Sequence, residues 1–147
     1  MIITKDNIDQ FIDGPVMDCS GKNITHIEYI PSHITQIHCY NNQLTQLPKL
    51  PDELINLFCY KNQLTSLPIL PNSLLKLFCE LNQLTILPYI PDSIEHLFCH
   101  VNQLNSYPDN SNDKQWRTNH NRSTKINKLL SVKLLSEKLL SEIIHTK

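Results

Sequence analysis

The 147-residue chain has only two glycines, Gly14 and Gly21. A phosphate-cradling loop needs several glycines within a few residues, so the common nucleotide-binding motifs are excluded. The charges nearly cancel, with 13 lysines and arginines against 14 aspartates and glutamates, so no basic surface for nucleic acid is indicated. No uncharged apolar run approaches the ~18 residues that cross a bilayer, and we therefore expect no membrane span.

Signals for export and for catalysis are also missing. The N-terminal stretch MIITKDNIDQF has neither a basic region nor an apolar run, so we expect that the protein is not secreted through a signal peptide. We therefore expect a cytoplasmic location. The sequence shows no Ser-His-Asp order, no carboxylate pair and no metal-ligand spacing. We therefore predict that the protein is not an enzyme and has no catalytic residues, no metal site and no cofactor.

What the sequence does have is a 20-residue repeat. Cysteine recurs five times at this spacing, and in four copies an asparagine follows three residues later. The frame LxxLxCxxNxL, from Leu54 to Leu64, is the leucine-rich-repeat pattern at the short end of its length range. The first copy is degenerate, because Gly14, Asp18 and Lys22 occupy key positions.

Each copy predicts one coil of a solenoid. Around each cysteine the residues alternate as in a short strand, with leucine and cysteine pointing inward, so stacked copies bury one continuous core. The asparagine amide can satisfy backbone groups where the chain turns after the strand. Two prolines hold the return segment extended, and Pro-Asp or Pro-Asn then begins the turn into the next strand. We predict an α/β solenoid with short parallel strands on its concave face and a mostly irregular or polyproline-II convex side.

The repeat divides the chain into four regions. Residues 1–13 predict an N-terminal cap with a short helix that carries Ile8, Phe11 and Ile12 on one face. Residues 14–108 contain the five copies, and residues 109–123 indicate a polar linker in which Trp116 is an anchor onto the last coil. Residues 124–146 predict a C-terminal helix whose leucine pairs wind around it, so it needs burial on more than one side. This helix either folds back as a cap or waits for a partner.

The cysteines and histidines are the residues that invite a metal or redox interpretation. The cysteines all occupy the inward strand position, where a free cysteine acts as a small buried hydrophobe. Side chains in a ladder of strands about 4.8 Å apart run parallel and do not converge on one ion. His96 and His100 lie on one strand face about 13 Å apart, which is too far to share a metal. We interpret the cysteines as core residues.

The outward face of the strands is the candidate binding site. Phenylalanine recurs there in three successive copies, flanked by tyrosines and charged residues, on a surface that faces solvent. Exposed aromatic columns with a polar rim favour a protein interface, although the rings can also stack simply to stabilise the ladder. The predicted partner-binding residues are His38, Tyr40, Phe58, Tyr60, Lys76, Phe78, Glu80, His96, Phe98 and His100.

The alternation NQLTxLPxLPxSLxxLxC, over about residues 19–108, resembles the short Leu-Pro-rich repeats of bacterial type III secreted effectors. With its asparagine- and lysine-rich, alanine-free composition, the chain is even more similar to the leucine-rich-repeat proteins of giant viruses of amoebae. Some of the bacterial effectors carry a C-terminal ubiquitin-ligase domain with a catalytic cysteine. No cysteine follows Cys99 here, so the resemblance implies an interaction module acting in a host cytoplasm.

We therefore predict a non-enzymatic module that binds a protein partner, with a host protein among the candidates, through the concave aromatic face. No nucleic acid or membrane partner is expected, and the chain is predicted to be a monomer. The alternative is a structural or self-assembling protein in which the leucine-rich helix at 124–146 drives oligomerisation.

Overall fold

The computed structural model describes residues 1–105 together with residues 116, 119–121 and 124. The strands are β1 (Ile2–Ile3), β2 (Ile12–Asp13), β3 (Val16–Asp18), β4 (His26–Ile27), β5 (Gln36–His38), β6 (Asn56–Phe58), β7 (Lys76–Phe78) and β8 (His96–Phe98), and a 3₁₀ helix spans Ile8–Phe11. A six-stranded sheet has the order β2-β3-β5-β6-β7-β8, in which only β2 is antiparallel to its neighbour. The predicted solenoid of about five parallel coils is confirmed.

The register of the sheet follows from the constant repeat length. Leu57 pairs with Leu77 and Phe58 pairs with Phe78, so each residue lies beside the residue 20 positions later. Equivalent leucines and cysteines therefore stack in columns, and Leu57, Leu77 and Cys59 are all fully buried. The core is these columns running the length of the solenoid, because a single coil could not remove its leucines from water by itself.

Each of the five parallel strands is followed by a turn that needs a left-handed residue. The residues with positive φ at this position are Gly21 (65°), Asn41 (56°), Lys61 (54°), Leu81 (57°) and Val101 (54°). Glycine adopts this conformation freely, whereas a side chain in it costs about 1–2 kcal/mol. The later coils therefore carry backbone strain at these turns, which the surrounding hydrogen bonds must offset.

The return segments contain no helix and no strand in coils two to five, up to residue 105. In coils two to four each return segment ends in a turn opened by the second proline: the Leu54 N–H donates to the Pro51 carbonyl at 3.2 Å, and Leu74 repeats this with Pro71. The predicted turn after the second proline is thus confirmed. Polyproline-II geometry in these segments stays a prediction.

The N-terminal segment adds strands where the sequence predicted one short helix. Only the single 3₁₀ turn forms, and it buries Ile8 and Phe11. Asn7 favours this turn over a longer helix, because its side chain accepts from the Thr4 N–H at 2.8 Å and donates to the Ile2 carbonyl at 3.0 Å. β1 pairs in parallel with β4 of the first coil, and β2 pairs with β3, so the segment covers two edges of that coil.

The described residues after position 105 are all helical, namely Trp116, Asn119, His120, Asn121 and Thr124. Helical residues are therefore present inside the region 109–123, which the sequence analysis assigned to a polar linker. Composition alone does not reveal them, because Asn121 is held against the repeats by hydrogen bonds to Ile90. Trp116 packs against the core, as predicted for an anchor. The rest of the predicted helix at 124–146 lies outside the described residues. Within the described part of the chain, no helix is long and apolar enough to cross a membrane.

Candidate functional site

The outward side of the sheet carries a column of aromatic rings. His38, Phe58, Phe78 and Phe98 hold the same position in β5 to β8, and successive ring centroids lie 4.7, 5.0 and 4.6 Å apart. The parallel pairing fixes these spacings, because each ring projects from a residue paired directly with the next. The rings are tilted or edge-on to each other, which is the favourable arrangement for aromatic pairs.

A second column runs beside the first. Tyr40 and Tyr60 stack with their centroids 4.6 Å apart and their planes 3° from parallel. His38 joins the two columns, since its ring meets Tyr40 edge-on at 6.3 Å. We call these six residues (His38, Phe58, Phe78, Phe98, Tyr40 and Tyr60) the aromatic face. Five of them are half-buried by their neighbours and Phe98 is 39% exposed, so the face is an apolar surface in contact with water.

Glu80 and His100 continue the tyrosine column in the last two coils. Burial raises the pKa of the Glu80 carboxyl, and its own backbone hydrogen bond and the nearby His100 oppose this shift. Its Oε2 atom is buried and has no hydrogen-bond partner within the described residues. Burial, with smaller contributions from Tyr40 and Glu80, also raises the pKa of Tyr60. A carboxylate that water reaches poorly therefore lies at the edge of the aromatic face.

The other predicted site residues form a flanking column. Lys76 in β7 pairs with His96 in β8, and Asn56 precedes them in β6. Lys76 is half-buried, His96 is exposed, and Asn56 has a buried Oδ1 atom without a hydrogen-bond partner in the described residues. The structure thus brings all ten predicted residues onto one side of the sheet. The aromatic rings are flanked on one side by Asn56, Lys76 and His96, and Glu80 and His100 continue the tyrosine column on the other. Whether they bind a partner stays a prediction.

The five cysteines form a ladder on the inward side of the same strands. Each is completely buried and none is disulfide-bonded, which confirms their interpretation as core residues. Burial raises the pKa of Cys19 and Cys99 to about 12, and it raises the pKa of the three central thiols well above 9.0. No cluster of three or more potential metal ligands occurs among the described residues.

We expect the thiols of the folded protein to be nearly unreactive. A disulfide reagent attacks the thiolate, and at pH 8 a thiol with a pKa of about 12 is ionised only about once in ten thousand molecules. Native protein should therefore release less than one thiol per chain in a timed thiol assay, and unfolded protein should release five. Rapid labelling of several thiols in the native state would show that the ladder is accessible.

The asparagines do more than the sequence analysis predicted. Asn82 Nδ2 donates to the carbonyl of Cys79 in its own coil and to that of Cys59 in the coil before, both at 3.1 Å. Its Oδ1 accepts from the Leu64 N–H at 2.9 Å. The same pattern recurs at Asn42, Asn62 and Asn102. Each asparagine therefore fastens its coil to the preceding coil, and the recurrence of asparagine at one position was the available signal.

Sequence reasoning missed a group of contacts on the return segments. Asn121 Oδ1 accepts from the Ile90 N–H, and Asn121 Nδ2 donates to the Ile90 carbonyl, both at 2.8 Å. His120 Nε2 lies 2.9 Å from the Pro88 carbonyl oxygen, and its ring stacks on Trp116 at 4.9 Å. The spacing of Trp116 and His120, four residues apart, is the one local signal that these side chains share a helical face.

The repeat, the parallel strands and the buried asparagines together define a solenoid of the leucine-rich-repeat type. No family model matches the chain, and no curated protein matches it. Among solved structures the chain is similar to YopM from Yersinia enterocolitica WA-314, with a TM-score of 0.46 and 26% sequence identity. That match covers 62% of this chain and 25% of YopM, so it extends over only a quarter of the other protein.

Proposed function

We propose that this protein is a non-enzymatic interaction module that binds a protein partner through the aromatic face. The observation that carries the proposal is the set of six stacked rings on the solvent side of four successive strands. Aromatic residues are enriched at the centres of protein interfaces, because they bury a large area at a low cost in conformational entropy.

Stacking alone gives an incomplete account of these rings. Each aromatic pair stabilises the ladder by about 0.5–1.5 kcal/mol, so the rings do contribute to folding. The first coil, however, forms the same parallel pairing with Asp18 and Ser20 at the two positions, so the fold does not require rings there. The aromatic residues are confined to coils two to five, which favours a binding role in addition to stacking.

The surroundings of the rings fit the general design of a protein interface. An apolar centre with a polar rim is typical of such surfaces, and here Lys76, Glu80, His96 and His100 border the rings. Exposed Leu81 and Val101 add further apolar surface after the last two strands, three residues beyond Phe78 and Phe98 respectively. The resemblance to secreted effectors makes a host protein the first partner to seek, in a host cytoplasm.

The test is affinity capture from host-cell lysate with two matched variants. Phe78→Ser removes the central ring of the column, which contacts Phe58 and Phe98. Ile86→Ser removes an apolar side chain that is 51% exposed and lies outside the strands, so it controls for a general loss of surface apolarity.

A partner should be retained by the wild-type protein and by the Ile86→Ser variant and lost with Phe78→Ser. The captured protein should then bind purified wild-type chain with an affinity about tenfold or more above that of Phe78→Ser, since a buried aromatic anchor contributes about 2 kcal/mol or more. Equal binding to all three proteins would place the interface elsewhere.

A further inference from the structure

The aromatic face has regularly spaced gaps between the rings of its first column. From His38 to Phe98, successive ring centroids lie 4.7, 5.0 and 4.6 Å apart, so the three gaps recur about every 4.8 Å, which is the spacing of the strands. The first three rings are only half-buried and Phe98 is 39% exposed, so side chains of a partner can reach the gaps. A partner that fills all three gaps needs side chains at nearly the same spacing.

An α-helix presents side chains at nearly this spacing. Residues i, i+3 or i+4, and i+7 lie on one face of a helix, and seven residues advance by about 10.5 Å along its axis. The first and third gaps of the ring column lie about 10 Å apart, two strand spacings. In an extended strand, side chains on one face lie about 6.7 Å apart, so three of them span about 13 Å and run out of register with the gaps. The spacing of the rings therefore favours a helix.

The width of the surface also fits a single helix. Lys76, Phe78 and Glu80 are two residues apart along one strand, so the flanking column and the tyrosine column are separated by about 13 Å. An α-helix with its side chains is about 10–12 Å in diameter. A helix laid along the rings therefore contacts both columns at once.

The two columns beside the rings differ in charge. In the flanking column Lys76 is half-buried and pairs with exposed His96, so this side offers a cation. In the tyrosine column Glu80 offers an anion, and His100 in the next coil favours its charged form. Neither Lys76 nor Glu80 forms an ion pair within the described residues. The surface is therefore electrostatically two-sided, with the apolar rings in the middle.

Each side also has an oxygen atom that lacks a hydrogen-bond partner. In the part of the chain that the structure describes, two buried side-chain oxygens are unpartnered, Asn56 Oδ1 in the flanking column and Glu80 Oε2 in the tyrosine column. Buried acceptors are normally hydrogen-bonded, so each of these atoms gains from a donor that a partner supplies. Both residues are only half-buried, so a side-chain rotation can turn the oxygen toward such a donor.

We propose that the aromatic face binds one amphipathic α-helix of a partner protein, laid along the ring column across the strands, with an acidic side chain against Lys76 and a basic side chain against Glu80. The inference rests on the binding role proposed above and specifies the partner of that same surface. Apolar side chains at i, i+3 or i+4, and i+7 of the helix enter the gaps between the rings. Reversing the helix on the sheet would exchange its two sides, so the charges also fix its direction.

Selection from a phage-displayed library of random peptides tests the shape of the partner. Peptides of about 16 residues, or roughly four turns of helix, are selected on the immobilised full chain and then sorted by loss of binding to Phe78→Ser and retention on Ile86→Ser. The Phe78-dependent peptides should share apolar residues at i, i+3 or i+4, and i+7, with an acidic residue on one side of this stripe and a basic residue on the other.

The other outcomes of the selection separate this inference from the binding role itself. Phe78-dependent peptides with apolar residues at every second position would overturn the helix and keep the aromatic face as a binding site. The absence of any Phe78-dependent peptide would overturn both.

Charge reversal on the two sides gives a second measurement with one selected peptide. Glu80→Lys and Lys76→Glu should each weaken its binding about tenfold or more, because each places like charges together. Reversing the facing charge of the peptide should restore binding to each variant. Glu53→Lys makes the same charge change at an exposed residue in the turn after the second proline, and it should leave the affinity unchanged. If neither reversed peptide restores binding, the charges do not pair and the proposal is overturned.

Discussion

The Asn82→Ala variant is expected to lose about 4 kcal/mol of unfolding free energy. The amide of Asn82 satisfies the carbonyls of Cys59 and Cys79 and the N–H of Leu64, and it is only 9% exposed. Alanine would leave the Leu64 N–H buried without its partner, at about 1–3 kcal/mol, and would remove one of two hydrogen bonds from each carbonyl, at about 0.5–1.5 kcal/mol apiece. The Cys59 carbonyl keeps its bond from Asn62 and the Cys79 carbonyl keeps its bond from Asn102. Urea denaturation followed by circular dichroism measures the change.

The neighbouring Gln63→Ala variant is the control for the asparagine prediction. Gln63 is exposed and follows Asn62 directly, and only its backbone N–H has an assigned hydrogen bond, so its truncation should change stability by less than about 0.5 kcal/mol. Asn62→Ala should behave like Asn82→Ala, because Asn62 makes the same set of bonds between coils. A loss of less than about 1 kcal/mol in unfolding free energy at both positions would mean that the asparagine side chains do not hold the coils together.

The Leu77→Ala variant should lose about 2–5 kcal/mol, and Phe78→Ser should lose clearly less. Leu77 is fully buried between Leu57 and Leu97, so alanine leaves a cavity in the column. Phe78, the next residue, is half-buried on the opposite side of the sheet and loses mainly two ring contacts, at 5.0 and 4.6 Å, for about 1–3 kcal/mol.

The two adjacent positions form an internal comparison, since they share one strand and differ in the side they face. Denaturant titration of both variants under the same conditions gives the difference directly. Equal losses at the two positions would contradict the assignment of the two sides of the sheet. A large loss at Phe78 alone would mean that another segment covers the aromatic face.

The aromatic face could be predicted from sequence because two regularities coincide. Alternation along a strand assigns Leu57 to the core and Phe58 to the opposite side, and a constant 20-residue spacing places Phe58 beside Phe78. Burial of Glu80, with one carboxylate oxygen left without a partner in the described residues, could not be predicted, since it depends on how closely the neighbouring side chains pack.

The helical docking on the return side also escaped the sequence analysis. Residues 109–123 are polar, and polar composition alone indicates a linker. Asn121 is nevertheless hydrogen-bonded to Ile90, 31 positions earlier, and this contact attaches Asn121 to the repeats.

The sequence by itself determined the coil: its 20-residue length, the inward leucines and cysteines, the outward rings and the turn after the second proline. These follow from local periodicity, which every copy repeats. Only the tertiary structure decided that Asn82 binds the coil before its own, that β1 pairs with β4, and that Asn121 holds Ile90. Such contacts join segments that are far apart in the sequence. The local sequence around a hydrogen-bonding side chain does not identify its partner, because the same donor or acceptor can bond to many groups.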